Sequence, residues 1–140
     1  SLENPWFWKN NLTQAELSET FSAVFGGDAI KRNGSKHDSG VTLFDILDVL
    51  NTKGEDRSGA QKDLVGKRGY NIFMIAMYLN AKYGKSDVNQ YNIYYPVANG
   101  RPFMDEFEFA SHLYNVTNAT YQSSAQELKQ IIKQDHNYVI

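Results

Sequence analysis

The chain carries an imperfect repeat of one helix–loop–helix pattern, with its two copies about 60 residues apart. The first copy reads AVFGGD from Ala23 and resumes as GVTLFD from Gly40. The second reads AKYGKSD from Ala81 and resumes as GRPFMD from Gly100. An aromatic residue followed by Gly is typical of a helix end, and an early Asp is typical of the first turn of the next helix. The repeat therefore predicts helices separated by two long loops.

Helical periodicity and capping signals place five or six helices along the chain. Segment 70–83 is apolar almost all round, which is typical of a helix buried at the centre of its domain. Segments 26–41 and 84–101 are polar, contain Gly and Asn, and are predicted to be irregular. We predict a mainly α fold, a compact bundle around a buried central helix, with residues 1–140 forming a single domain. The helices are predicted to begin at Thr13, Thr42, Ser58, Tyr70, Pro102 and Ser123 or Ser124.

Charge and cysteine content exclude several classes of protein and indicate the cellular compartment. The net charge is -2, and the basic residues are scattered, which argues against a nucleic-acid partner. No apolar stretch approaches the ~20 residues that span a bilayer, so no membrane insertion is expected. Cysteine is absent, which excludes structural disulfides and cysteine-ligated zinc. With no signal peptide recognisable at the start, we expect a cytoplasmic protein, or a secreted one without disulfides, from a bacterium or phage.

Two aromatic segments are the predicted binding residues. The sequence QYNIYY places Tyr91, Tyr94 and Tyr95 between polar residues in the second loop, and Tyr is enriched at protein interfaces. The alternative role for this loop is an aromatic lid on the core. Trp6 and Trp8 make the N-terminal segment unusually apolar, so it is either a surface patch or a segment folded back onto the domain.

A second hypothesis is a small hydrolase acting on a glycan or peptidoglycan. Its candidate catalytic residues are Glu106, Glu108 and His112, because His112 follows Glu108 by four positions and would share its helix face. The commoner role of such a spacing is an ion pair on the surface of a helix. The tyrosine-rich loop would line the cleft of this hypothetical enzyme.

Metal and phosphate patterns are weak. The segment from Gly40 to Leu47 resembles the exit half of a calcium loop, but the segments around Gly40 and Gly100 both lack carboxylates at the early ligand positions. The three histidines are not spaced as zinc ligands. The sequence GKRG from Gly66 places two cations between glycines ahead of a helix, which favours either an anion site or an ordinary basic loop. We predict no metal site and no cofactor.

The leading functional hypothesis is a non-enzymatic module that binds a protein, of the effector, immunity or adaptor type. This hypothesis depends on the absence of recognisable catalytic motifs in the sequence and on the aromatic residues of the second loop. The alternatives are the glycan hydrolase and a metal-binding module. The sequence does not indicate the oligomeric state.

Overall fold

A computed structural model describes residues 3–84 and 103–119 of the chain. In these two ranges the fold is mainly α, and no strand forms beyond isolated bridges such as Ile30 with Lys36. None of the helices found there has the length and apolarity required to cross a bilayer. The helices are α1 (Pro5–Asn11), α2 (Phe21–Phe25), α3 (Leu43–Leu47), α4 (Gly59–Val65), α5 (Tyr70–Gly84) and α6 (Glu106–Ala119).

Helix α5 is the segment predicted to be buried, and the structure buries it. All its residues except Lys82 and Tyr83 are buried, and α1, α3, α4 and α6 all contact it. Burial on every side explains why this helix is apolar around its whole circumference, since no face of it is left to water. Its early turns also form one wall of the cleft described below.

Two asparagines inside α5 tie distant segments to the helix. Asn71 Nδ2 donates to Ile30 O at 2.9 Å and to Leu64 O at 3.1 Å. Asn80 donates from Nδ2 to Glu3 O and accepts from Glu3 N through Oδ1, both at 2.8 Å. Each asparagine side chain is fully buried, so these bonds supply the partners that its polar atoms need away from water.

Replacing Asn71 by Ala is expected to lower the free energy of unfolding by about 3 kcal/mol, because it leaves buried backbone groups without partners. Thermal denaturation followed by circular dichroism measures the change. The matched control is Asn118→Ala, an exposed position in α6 that should shift stability by less than about 0.5 kcal/mol. Equal effects in the two variants would contradict the anchoring role of Asn71.

The helix predicted to run from Thr13 is wrong beyond its first turn. The capping box forms, with Thr13 N donating to Glu16 Oε1 and Glu16 N donating to Thr13 Oγ1. The next carbonyls, however, bond to the start of α3: Leu43 N donates to Glu19 O, and Phe44 N donates to Leu17 O. Because these long-range bonds use acceptors that a continuous helix would need, the helix restarts only at α2.

Local capping signals were correct elsewhere. Thr42 and Asp45 form a reciprocal capping box at α3, and Ser58 and Gln61 form another at α4. Segment 5–11 is a helix that we did not predict, although Asn4 at its N-cap and Pro5 at its first position are ordinary start signals. Helix α6 starts at Glu106, later than predicted. The sequence of residues 115–120 predicts a break in this helix, but the helix continues to Ala119.

Residues 28–31 of the predicted loop 26–41 are fastened to two helices. Tyr114 of α6 donates its hydroxyl to Asp28 O at 2.7 Å, and Tyr70 of α5 donates to Lys31 O. A Cβ at Gly27 would lie 2.4 Å from the Tyr114 ring, so this close approach requires glycine. The loop is therefore held in one position beside α4, where Arg32 reaches the cleft.

Candidate functional site

An open cleft of about 430 Å³ lies between α1, α4 and the start of α5. This size is within the range of small-ligand pockets. Among the described residues, its lining contains four cationic side chains and no carboxylate, although the chain as a whole has a net charge of -2. The lining residues are Trp6, Arg32, Gly54, Arg57, Lys62, Val65, Gly66, Arg68, Gly69, Ile72 and Phe73. We call this feature the basic cleft.

Arg32 is the one cation of the basic cleft that forms an ion pair in the described part of the chain. Its Nε lies 2.7 Å from Asp63 Oδ1 in α4, and its Nη2 donates to Gly59 O at 3.3 Å. The hydrogen bond from Arg32 lowers the pKa of Asp63 below its usual value. His37 Nε2 donates to Asp63 O at 2.6 Å, which fixes the loop against the same helix. The charges of Arg32 and Asp63 therefore balance each other, and this ion pair has a structural role.

Arg57, Lys62 and Arg68 carry the uncompensated charge. Within residues 3–84 and 103–119, none of the three is in an ion pair. Arg57 is partly buried, and its Nε donates to Thr52 O at 2.9 Å, so the guanidinium is held in place and its terminal amino groups can donate hydrogen bonds to an anion. Three positive charges around one small cleft repel each other, and a bound anion would remove that repulsion.

Arg68 occupies a backbone conformation that arginine rarely adopts. Its φ of 57° and ψ of 21° lie in the left-handed region, between Gly66 and Gly69, which also have positive φ. A non-glycine residue in this region costs about 1 to 2 kcal/mol, and Gly or Asn is favoured there. Strained residues of this kind cluster at functional sites, so an arginine here suggests that its side chain is needed.

Replacing Arg68 by Gly is expected to leave stability unchanged or to raise it by about 0.5 kcal/mol, since relief of strain offsets the greater freedom of the unfolded chain. The matched control is Lys62→Gly, which places glycine inside the regular helix α4 and should cost about 1 kcal/mol. Chemical denaturation measures both variants. Equal losses of stability would contradict the left-handed conformation of Arg68.

The lining of the basic cleft also contains apolar side chains. Val65, Ile72 and Phe73 supply buried aliphatic and aromatic surface, and Trp6 of α1 is 48% exposed. Trp8 has the opposite setting: it is fully buried and stacks on Tyr83 with ring centroids 5.4 Å apart. The two tryptophans predicted as binding residues are thus separated by the structure, and Trp6 is the indole that solvent reaches.

The predicted catalytic residues lie in three different settings. Glu108 accepts a hydrogen bond from Met104 N at 2.9 Å, so it caps the start of α6. His112 is exposed and lies beside the ring of Phe103, with centroids 5.2 Å apart. Glu106 is buried against α5, where its charge contributes to the raised pKa of Tyr78. No hydrogen bond joins Glu108 to His112 in the described ranges, so the expected pair does not form there.

A polar cluster beside Glu106 was missed from the sequence. The hydroxyl of Tyr78 lies 3.2 Å from both carboxylate oxygens of Glu19, and Lys82 Nζ lies 3.1 Å from Glu19 Oε1. Burial raises the pKa of Tyr78, and the charge of Glu19 raises it further. A tyrosine kept neutral and a neutralised carboxylate join the segment before α2 to α5. The cluster therefore has a structural explanation.

Tyr91, Tyr94 and Tyr95 lie outside the described residues, and so does the predicted last helix. Among the residues that the structure describes, no group of three or more His, Asp or Glu is arranged to hold a metal ion. The basic cleft itself was not predicted as a site. The sequence drew attention to its Gly66–Gly69 turn and, separately, to Trp6, but it gave no reason to join them with Arg57, because the three come from separate segments.

No family model, curated protein or solved structure matches the chain significantly. The geometry of the basic cleft is therefore the basis for the function proposed below.

Proposed function

We propose that this protein is a non-enzymatic binding module and that its basic cleft takes an acidic segment of a partner protein. The observation that carries the proposal is the concentration, in one cleft of an acidic chain, of cations that have no ion-pair partner among the described residues. We also propose that the helices pack as a bundle around the buried helix α5.

Three features support a protein partner. Arg and Trp are the residue types most enriched at energetic centres of interfaces, and the basic cleft combines Arg57 and Arg68 with the exposed Trp6. Arg57 is already oriented by Thr52, which reduces the entropy lost on binding. Complementary charge also steers an acidic partner and speeds its association.

The charge requirement can be tested with two unlabelled peptides, acetyl-Glu-Glu-Phe-Glu-Glu-amide and its lysine counterpart. Isothermal titration calorimetry should show binding of the acidic peptide and none of the basic one. Raising the salt from about 0.05 to about 0.5 M should weaken binding about tenfold, because exposed charges are screened.

Two variant pairs locate the binding. Lys62→Gln with Arg68→Gln removes two cations of the basic cleft, and Lys9→Gln with Lys36→Gln removes two cations elsewhere. The first pair should weaken the acidic peptide at least about tenfold, while the second should change affinity less than about twofold. Equal losses in both pairs, or equal binding of the two peptides, would overturn the proposal.

A further inference from the structure

The basic cleft has more positive charge than one carboxylate can balance. Arg57, Lys62 and Arg68 are three cations without an ion-pair partner in the described ranges, whereas a carboxylate carries a single negative charge. A phosphate monoester carries about 1.5 to 2 negative charges at neutral pH and has three acceptor oxygens. Guanidinium groups also match phosphate geometry, because they can donate two parallel hydrogen bonds.

The apolar part of the lining determines which chemical group can carry the phosphate. Trp6 is a large aromatic side chain that remains 48% exposed at the rim, and Phe73 lies on the same lining. A flat ring stacking on such a surface gains contact energy beyond simple burial. A cleft of about 430 Å³ is large enough to enclose one side chain with its charged group, and because the cleft is open, the rest of the acidic segment can lie outside it.

We infer that the group recognised by the basic cleft is a phosphate carried on an aromatic ring, and that its source is a phosphorylated tyrosine in the acidic segment of the partner. That the ligand belongs to a partner protein rests on the proposed function, whereas the recognition of a phosphate on an aromatic ring does not. Arg57 and Arg68 hold the phosphate oxygens, Lys62 adds charge at the rim, and Trp6 packs on the ring.

The strained backbone of Arg68 fits this role. Glycine or asparagine at this position would relieve the left-handed conformation but would remove the guanidinium. The positive φ of Gly66 and Gly69 shapes the turn that presents Arg68 at the cleft. Arg68 thus stands just before α5 in a backbone conformation that favours glycine or asparagine over arginine.

Calorimetry with small probes tests the chemistry. Phenyl phosphate carries both the ring and the phosphate, inorganic phosphate lacks the ring, and benzoate replaces the phosphate by a carboxylate. Phenyl phosphate should bind at least about tenfold more tightly than either of the other two. Trp6→Ala should reduce its affinity to that of inorganic phosphate, while Lys62→Gln with Arg68→Gln should abolish detectable binding. Equal affinity for benzoate and phenyl phosphate, or no effect of Trp6→Ala, would overturn the inference.

A second set of probes identifies the source and separates this inference from the proposed function. The phosphotyrosine version of the acidic peptide should bind at least about tenfold more tightly than the phenylalanine version. AMP, which also joins a flat ring to a phosphate, should bind more weakly than the phosphotyrosine peptide. If both peptides bind equally through the cleft, the proposed function stands and the phosphate inference fails. If AMP or phenyl phosphate binds and neither peptide does, the partner fails and a small aromatic phosphate is the ligand.

Discussion

Replacing Met74 by Asp is expected to lower the free energy of unfolding by on the order of 4 kcal/mol, because it places an unpaired carboxylate in a fully buried part of α5. A domain of this size has a total stability of about 5 to 15 kcal/mol, so the variant should be marginal. Thermal denaturation should show a melting temperature lower by about 10 °C or more, or no cooperative transition.

The matched control for this change is Met104→Asp. Met104 is 63% exposed just before α6, so the same substitution there buries no charge. Its melting temperature should stay within about 2 °C of the unsubstituted protein. If Met74→Asp melts like Met104→Asp, α5 is not buried as the structure describes.

Replacing Trp8 by Ala is expected to cost about 3 to 5 kcal/mol, the usual range for removing a large aromatic side chain from a core. Trp8 is fully buried, stacks on Tyr83 and meets Phe7 edge-on at 5.0 Å, so its loss leaves a cavity between α1 and the end of α5. Urea denaturation measures this loss, and the dependence of the unfolding free energy on urea concentration should keep the same slope.

The neighbouring Trp6 should behave in the opposite way. Trp6→Ala removes a half-exposed ring and should change stability by less than about 0.5 kcal/mol, while it weakens ligand binding in the basic cleft. A large stability loss for Trp6→Ala, or a small one for Trp8→Ala, would show that the two roles are assigned the wrong way round.

Sequence patterns predicted what depends on neighbours along the chain. The capping boxes at Thr42 and Ser58 join residues three apart, and the apolar character of α5 spans one continuous segment. The helix expected from Thr13 failed for a long-range reason, because its carbonyl groups bond to the start of α3. The buried Asn71 was likewise unpredictable, since its partner Ile30 is 41 residues away.

The candidate site shows the same division. The turn Gly66–Gly69 was visible as two cations between glycines, but its meaning depends on Arg57 and Trp6, which only the fold brings to the same cleft. The acid–histidine spacing of Glu108 and His112 looked equally suggestive, yet Glu108 bonds to the backbone at Met104 instead. The tyrosine-rich segment at 91–95 remains a prediction, because it lies outside the described residues.

A two-dimensional ¹H–¹⁵N correlation spectrum, recorded while the acidic peptide is titrated into the labelled protein, tests the location of binding most directly. The basic cleft predicts that the largest shifts occur at the amide groups of Gly66 and Gly69 and at the indole N–H of Trp6, while the indole of the buried Trp8 moves little. Shifts centred on Tyr91, Tyr94 and Tyr95 with the cleft unaffected would contradict the account, and so would a spectrum that the peptide leaves unchanged.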